Sequence, residues 1–168
     1  MPTVVIADDS PTLRRIVTSV LSREGFEVVP AEDGVSAVQQ VFACMPDAVV
    51  LDVQMPRVSG YVAARLLKDD WQTAGIPVIL LTSLDAASDR YWGAQTGADR
   101  YLTKDFEAPQ LVAAVREVIE KASVGFGGRE QRFVKLFGPH LPEVEMAEQR
   151  FLAQCGVVTL VLRAGFAR

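Results

Sequence analysis

A chain of 168 residues, 49% hydrophobic and 23% charged, has room for one ordinary core plus an appendage, which excludes the disordered and fibrous classes. Its formal net charge of −4 argues against general nucleic-acid binding, which needs a basic face, and no direct DNA binding is expected. No apolar run approaches the roughly 18 residues of a membrane span, and the opening MPTVVIADDS does not read as a signal peptide.

Along the chain, strand and helix patterns alternate. Thr3–Ala7 is a short β-branched run, and Ser10-Pro11 then offers an N-cap with proline at the first helical position. Leu13, Ile16, Val17, Val20 and Leu21 recur at helical spacing until Gly25. Phe26–Ala31 reads as the second strand and Asp33-Gly34 as a turn. Val35, Val38, Val41 and Phe42 form the next helical face. Ala48–Leu51 is a continuous apolar strand, followed by a helix from about Ser59 to Asp70. Ile76–Leu81 is the fourth strand, Asp85–Thr96 a helix stopped by Gly97, and Tyr101-Leu102 a short fifth strand. Leu111, Val112, Val115, Val118 and Ile119 make the last helical stripe.

Strands without polar alternation are buried on both faces, and their alternation with helices demands parallel crossovers. The expected fold is therefore α/β, a doubly wound five-stranded parallel sheet of flavodoxin-like order 2-1-3-4-5 over residues 1–124. Gly125-Phe126-Gly127-Gly128 reads as a linker (125–128), and 129–168 as an extension of unassigned role. Its small apolar faces, Phe133, Val134 and Phe137, then Val144, Ala147, Phe151 and Cys155, suit packing on the first domain or a homodimer contact. Cys44 and Cys155 match no metal or redox spacing and read as reduced thiols, so the expected compartment is the cytoplasm.

In such a sheet, ligands bind beyond the carboxyl ends of the strands. Those ends carry Asp8-Asp9, Asp52, Thr82-Ser83 and, after the fifth strand, Lys104. Three carboxylates held close repel one another, and an oxygen-seeking Mg²⁺ relieves that repulsion. Asp52, on the central strand, is the best nucleophile for a phosphorus atom, which would give an aspartyl phosphate. Asp8, Asp9 and Asp52 would hold the metal, helped by the backbone carbonyl of Gln54. The Thr82 hydroxyl and Lys104 would neutralise and orient the phosphoryl oxygens.

Over about residues 2–123 the chain resembles the receiver domains of two-component response regulators. The matching segments are VVIADDS, VVLDVQMPRVSG, VILLTS and DRYLTK, in that order and on the strand ends. DDSPTLRRIV and RYWGAQTGADRYLTK are similar to the short receivers of chemotaxis and twitching-motility pathways. The resemblance implies a sensor histidine kinase as phosphodonor and a downstream protein partner. It also implies Thr82 and Tyr101 as switch residues, with the partner face made by the fourth helix, fifth strand and fifth helix.

Asp105 follows Lys104 where that family usually has proline, so a trans bond is expected there, with Lys104 open to displacement. Ser59 replaces a common acidic or amide residue. Gln54 should govern how water reaches the acyl phosphate. Trp71 and Trp92 read as packing residues, and His140 as exposed and inert. The rival functions are a pseudo-receiver, an interaction module independent of phosphate, and a Mg²⁺-dependent phosphohydrolase. The chain lacks the hydrolase's Asp-x-Asp strand and cap insertion. A nucleotide or flavin site is disfavoured by the lack of glycines after the first strand.

Overall fold

The computed structural model describes residues 1–83 and 96–126. Nine elements follow in order: β1 (Thr3–Ala7), α1 (Pro11–Arg23), β2 (Glu27–Ala31), α2 (Gly34–Cys44), β3 (Ala48–Asp52), α3 (Gly60–Asp69), β4 (Val78–Thr82), β5 (Arg100–Thr103) and α4 (Ala108–Phe126). The helix expected over Asp85–Thr96 lies outside the described residues except for Thr96. So do Trp92, His140, Cys155 and the extension over 129–168. α4 runs through Phe126, into the stretch read as a linker.

All strand pairs are parallel, and the sheet order is β2-β1-β3-β4-β5, as the alternating pattern predicted. Because side chains alternate along each strand, the sheet carries two cores. Val5, Ala7, Val49, Leu51, Val78 and Leu80 face α2 and α3, where Ala37, Val41, Ala63, Ala64 and Leu67 close the layer. Val4, Ile6, Val50, Ile79 and Leu81 face α1 and α4, packing on Val17, Leu21, Leu111, Ala114 and Val115. Every residue of β3 and β4 is buried, which is why both segments read as unbroken apolar runs.

Leu80 sits centrally in β4 with no exposed surface. Leu80→Ala is expected to lower the unfolding free energy by about 2–5 kcal/mol, from lost burial plus the cavity left behind. Urea denaturation measures it, and a loss below about 1 kcal/mol would show that the layer collapses around the gap.

Local chemistry sets the helix starts. Ser10 Oγ accepts from Leu13 N at 3.3 Å with Pro11 at the first position. Asp33 and Ser36 form a capping box on α2. Ser59, which reads as a departure in sequence, caps α3 by accepting from Val62 N at 3.4 Å.

Several boundaries shift by a residue or two from the expected ones. β4 begins at Val78 rather than Ile76, because Pro77 has no N–H for the ladder although its carbonyl accepts from Val49 N at 2.9 Å. β2 begins at Glu27, since the Phe26 amide closes the end of α1 on Leu21 O. Ile16 and Phe42, which share the apolar spacing of their helices, are 51% and 41% exposed. Their stripes are wider than the faces the sheet can cover.

Candidate functional site

Parallel register brings the strand ends together. Ala7 pairs with Leu51, so Asp8 and Asp52 follow as neighbours across the β1–β3 seam, where the strand order reverses. Asp52 pairs with Leu81, and Thr82 with Thr103, which places Thr82 and Lys104 on the same edge. The Lys104 amide extends that ladder by donating to Thr82 O at 2.7 Å.

Asp8 and Asp52 are buried, and Asp9 is exposed beside them. One oxygen from each lies within 4.8 Å of the others. Each buried carboxylate has one oxygen held by the backbone: Asp8 Oδ1 accepts from Ser10 N at 2.8 Å, and Asp52 Oδ1 from Gln54 N at 3.0 Å. The second oxygens face Lys104, whose Nζ lies 2.8 Å from Asp52 Oδ2 and 3.3 Å from Asp8 Oδ2. Both are charge-assisted contacts to the one ammonium. Among the described residues, Asp8 Oδ2 and Asp52 Oδ2 are the buried side-chain oxygens without a well-formed hydrogen bond.

Among the described residues, the Lys104 ammonium thus pairs with the two buried carboxylates of a cluster of three, which leaves the carboxylates in excess. Burial pushes the Asp52 carboxyl above its ordinary range. Lys104 and the Gln54 amide pull it back, and the Asp8 charge pushes it further up. For Lys104, burial acts to lower the ammonium, but its pairing with Asp52 and Asp8 outweighs this and holds it high. The same contact favours the charged form of both partners, and burial overrides it only at Asp52, the more deeply enclosed group. Two buried oxygens short of donors, in an all-oxygen set with surplus negative charge, fit a small hard cation.

The Lys104–Asp105 bond is trans, like the other described peptide bonds. Asp105 is exposed and stands apart from the carboxylate cluster. The displacement that the missing proline raised is absent, since Lys104 reaches both buried aspartates.

Residues 4–116 match the family described as response regulator receiver domain. The chain belongs to this family. Protein PilH of Pseudomonas aeruginosa is 37% identical to this receiver over 119 residues, 71% of this chain and 98% of PilH. The phosphate regulon transcriptional regulatory protein PhoB of Klebsiella pneumoniae is 39% identical over 120 residues, 71% of this chain and 52% of PhoB. The chain therefore spans about half the length of that transcriptional regulator. The solved receiver domain of sensor histidine kinase PA1611 from Pseudomonas aeruginosa superposes with a TM-score of 0.67 and 26% identity, covering 71% of this chain and 98% of that one. It carries a magnesium ion coordinated in its active-site cleft.

Within this receiver, Asp8, Asp9, Asp52 and Lys104 form one cluster, with buried Thr82 at the adjoining strand end. Tyr101 stands apart from it on β5. Its hydroxyl and Thr96 Oγ1 lie 3.1 Å apart in a hydrogen bond, and its ring packs on the α2–α3 side of the core. The Gln54 backbone N–H donates to Asp52 Oδ1, a contact that the sequence does not signal.

Three supporting contacts were not foreseen from sequence. Arg14 donates to the Asp8 carbonyl, fixing the turn after β1. A Cβ at Gly60 would overlap the Asp52 carbonyl oxygen, so the start of α3 packs directly on the end of β3. Arg57 forms an ion pair with buried Asp33. Only Gly60, as a glycine opening a helix after Ser59, carried a sequence signal.

Proposed function

We propose that the chain is a phosphoryl-accepting response regulator. In this reading Asp52 takes the group from a phosphohistidine of a sensor histidine kinase, and the change switches a partner-binding face. The observation that carries this is the Lys104 ammonium resting 2.8 Å from one oxygen of buried Asp52, beside two further carboxylates at the same strand ends.

The Asp52 carboxylate attacks phosphorus. An O–P bond forms as the donor's N–P bond breaks, and its electron pair returns to the imidazole nitrogen. The Gln54 amide holds Asp52 Oδ1 and so orients the carboxylate. Lys104 moves its charge from Asp52 Oδ2 to a phosphoryl oxygen, and the Thr82 hydroxyl takes another. Asp8, Asp9, Asp52 and the Gln54 carbonyl would hold Mg²⁺, which when bound offsets the clustered negative charge and that of the incoming phosphoryl group. Thr82 and Tyr101 then pass the change to the β5 side of the sheet, where an unassigned downstream protein or a second copy of the chain binds. The activity is one of signalling, limited to taking and losing phosphate, without turnover of a metabolite. Among the described residues, no helix is long and apolar enough to cross a membrane. In this reading the chain works in the cytoplasm, where such kinases present their phosphohistidine.

Incubation of the full chain with Mg²⁺ and acetyl phosphate tests the reading. Intact-mass analysis should show one phosphoryl adduct, lost when the metal is chelated. Mg²⁺ alone should also raise the unfolding free energy, by about 2.7 kcal/mol at a hundredfold excess over its dissociation constant. Mg²⁺ binding without an adduct would favour the pseudo-receiver, a module acting independently of phosphate.

A further inference from the structure

The loop from Val53 to Ser59 carries the Gln54 peptide directly beyond the acceptor strand. Its inner end is held by backbone bonds, Val53 N to Leu81 O at 2.9 Å and Gly60 N to Val53 O at 3.1 Å. Its outer end is held by α2. A Cβ at Gly34 would overlap the Val58 carbonyl oxygen, so the loop lies flush against the first residue of that helix. Arg57 then pairs with Asp33, the residue capping the same helix.

Two features set this pair apart from an ordinary surface bridge. The Asp33 side chain is 3% exposed, with Oδ1 committed to Ser36 N at 2.8 Å and Ser36 Oγ at 3.1 Å. Its Oδ2 charge therefore depends on Arg57 rather than on water. Arg57 also sits at φ 65, in a tight turn closed by Val58 N to Pro56 O at 2.7 Å. That conformation is costly for arginine and persists only where surrounding contacts over-determine it.

We propose that Arg57 and Asp33 form a clamp that positions the Val53–Ser59 loop for the cation site, holding the Gln54 carbonyl where Asp8, Asp9 and Asp52 need a further oxygen. The proposal rests on reading those carboxylates as a Mg²⁺ site. Arg57 touches neither the carboxylate cluster nor the substrate, so it is a positioning residue acting through the loop. Its removal has an unusual sign. A distant positive charge repels a cation, so electrostatics alone predicts that losing Arg57 tightens Mg²⁺ binding. A clamp predicts the reverse.

Calorimetric titration of Mg²⁺ into the full chain decides between them, using wild type, Arg57→Asn, Arg57→Lys, Asp33→Asn and the double variant. Asn accepts the left-handed backbone, and it also caps helices well, so both substitutions spare the local fold. Arg57→Asn should weaken Mg²⁺ about tenfold, as loss of an outer positioning contact does at metal sites, and Arg57→Lys should restore most of that. The double variant should bind no more weakly than Asp33→Asn alone. Unchanged or tighter binding by Arg57→Asn overturns the clamp. So does weaker binding that tracks a fall in the metal-free urea midpoint and is not rescued by lysine. A wild-type chain that binds no Mg²⁺ overturns instead the reading of the carboxylates.

Discussion

Asp52→Asn is expected to accept no phosphoryl group from acetyl phosphate, and yet to unfold at a higher urea concentration than wild type in metal-free buffer at neutral pH. The first half follows from chemistry, because an amide oxygen is too weak a nucleophile to replace the carboxylate. The second follows from burial. Asp52 is 1% exposed, and its carboxyl lies above the ordinary range chiefly because it is desolvated. A group whose folded value exceeds its unfolded value of about 3.9 holds its proton more tightly when folded. Wild-type stability therefore falls as pH rises from the unfolded value through the folded one, and the full cost of the buried charge is present above both. The advantage of Asp52→Asn should be absent below that window, grow across it and stay level beyond. Urea midpoints at a series of pH values measure this. A lower midpoint for the variant at neutral pH would show that attraction to Lys104 exceeds the cost of burial. An adduct on the variant would place the phosphoacceptor elsewhere.

Lys104→Met should separate phosphorylation from metal binding. The side chain keeps its length and loses its charge, so the 2.8 Å and 3.3 Å pairs to Asp52 and Asp8 vanish. Removing a charged donor aimed at transition-state oxygens costs about 10²–10³ in rate, and the adduct should form that much more slowly. Mg²⁺ should bind at least as tightly, because the ammonium competes for the same two oxygens and repels any other cation. Single-turnover labelling and calorimetry on the same protein give both numbers. A parallel loss of rate and of Mg²⁺ affinity would mean that Lys104 supports the pocket's shape rather than the phosphoryl charge.

These opposing signs trace to an economy in the site. Protein backbone satisfies one oxygen each of Asp8 and Asp52, and among the described residues Lys104 is shared between their other oxygens. Burial raises the Asp52 carboxyl, so its charge costs the fold stability, and neutralising Asp52 or adding a divalent cation should recover it.

Much of the site was legible in the sequence because each contributing residue ends a strand. β1, β3 and β4 are apolar runs that stop at a polar group, and in a parallel sheet all such stops gather on one edge. Asp8, Asp52, Thr82 and Lys104 could therefore be brought together by counting elements. Asp105 was a different matter. Its place after Lys104 suggested a misplaced lysine, but the backbone bond from Lys104 N to Thr82 O holds the strand end whatever residue follows.

Amphipathic spacing was a less complete guide. It placed Ile16 and Phe42 with the buried faces of α1 and α2, yet both are largely exposed. Periodicity reports which residues share a side of a helix, not how wide a strip its neighbours can cover.

What the sequence by itself determined is the sheet, its strand order and the set of polar groups at the carboxyl ends of its strands. These depend on local pattern and on the handedness of parallel crossovers. The tertiary structure alone decided how those groups are paired: Lys104 divided between two carboxylates, Gly60 against the Asp52 carbonyl, Arg57 on Asp33. Such pairings join residues of different elements through distances of a few ångströms. No periodicity encodes them, because they depend on the packing of helices that have already formed.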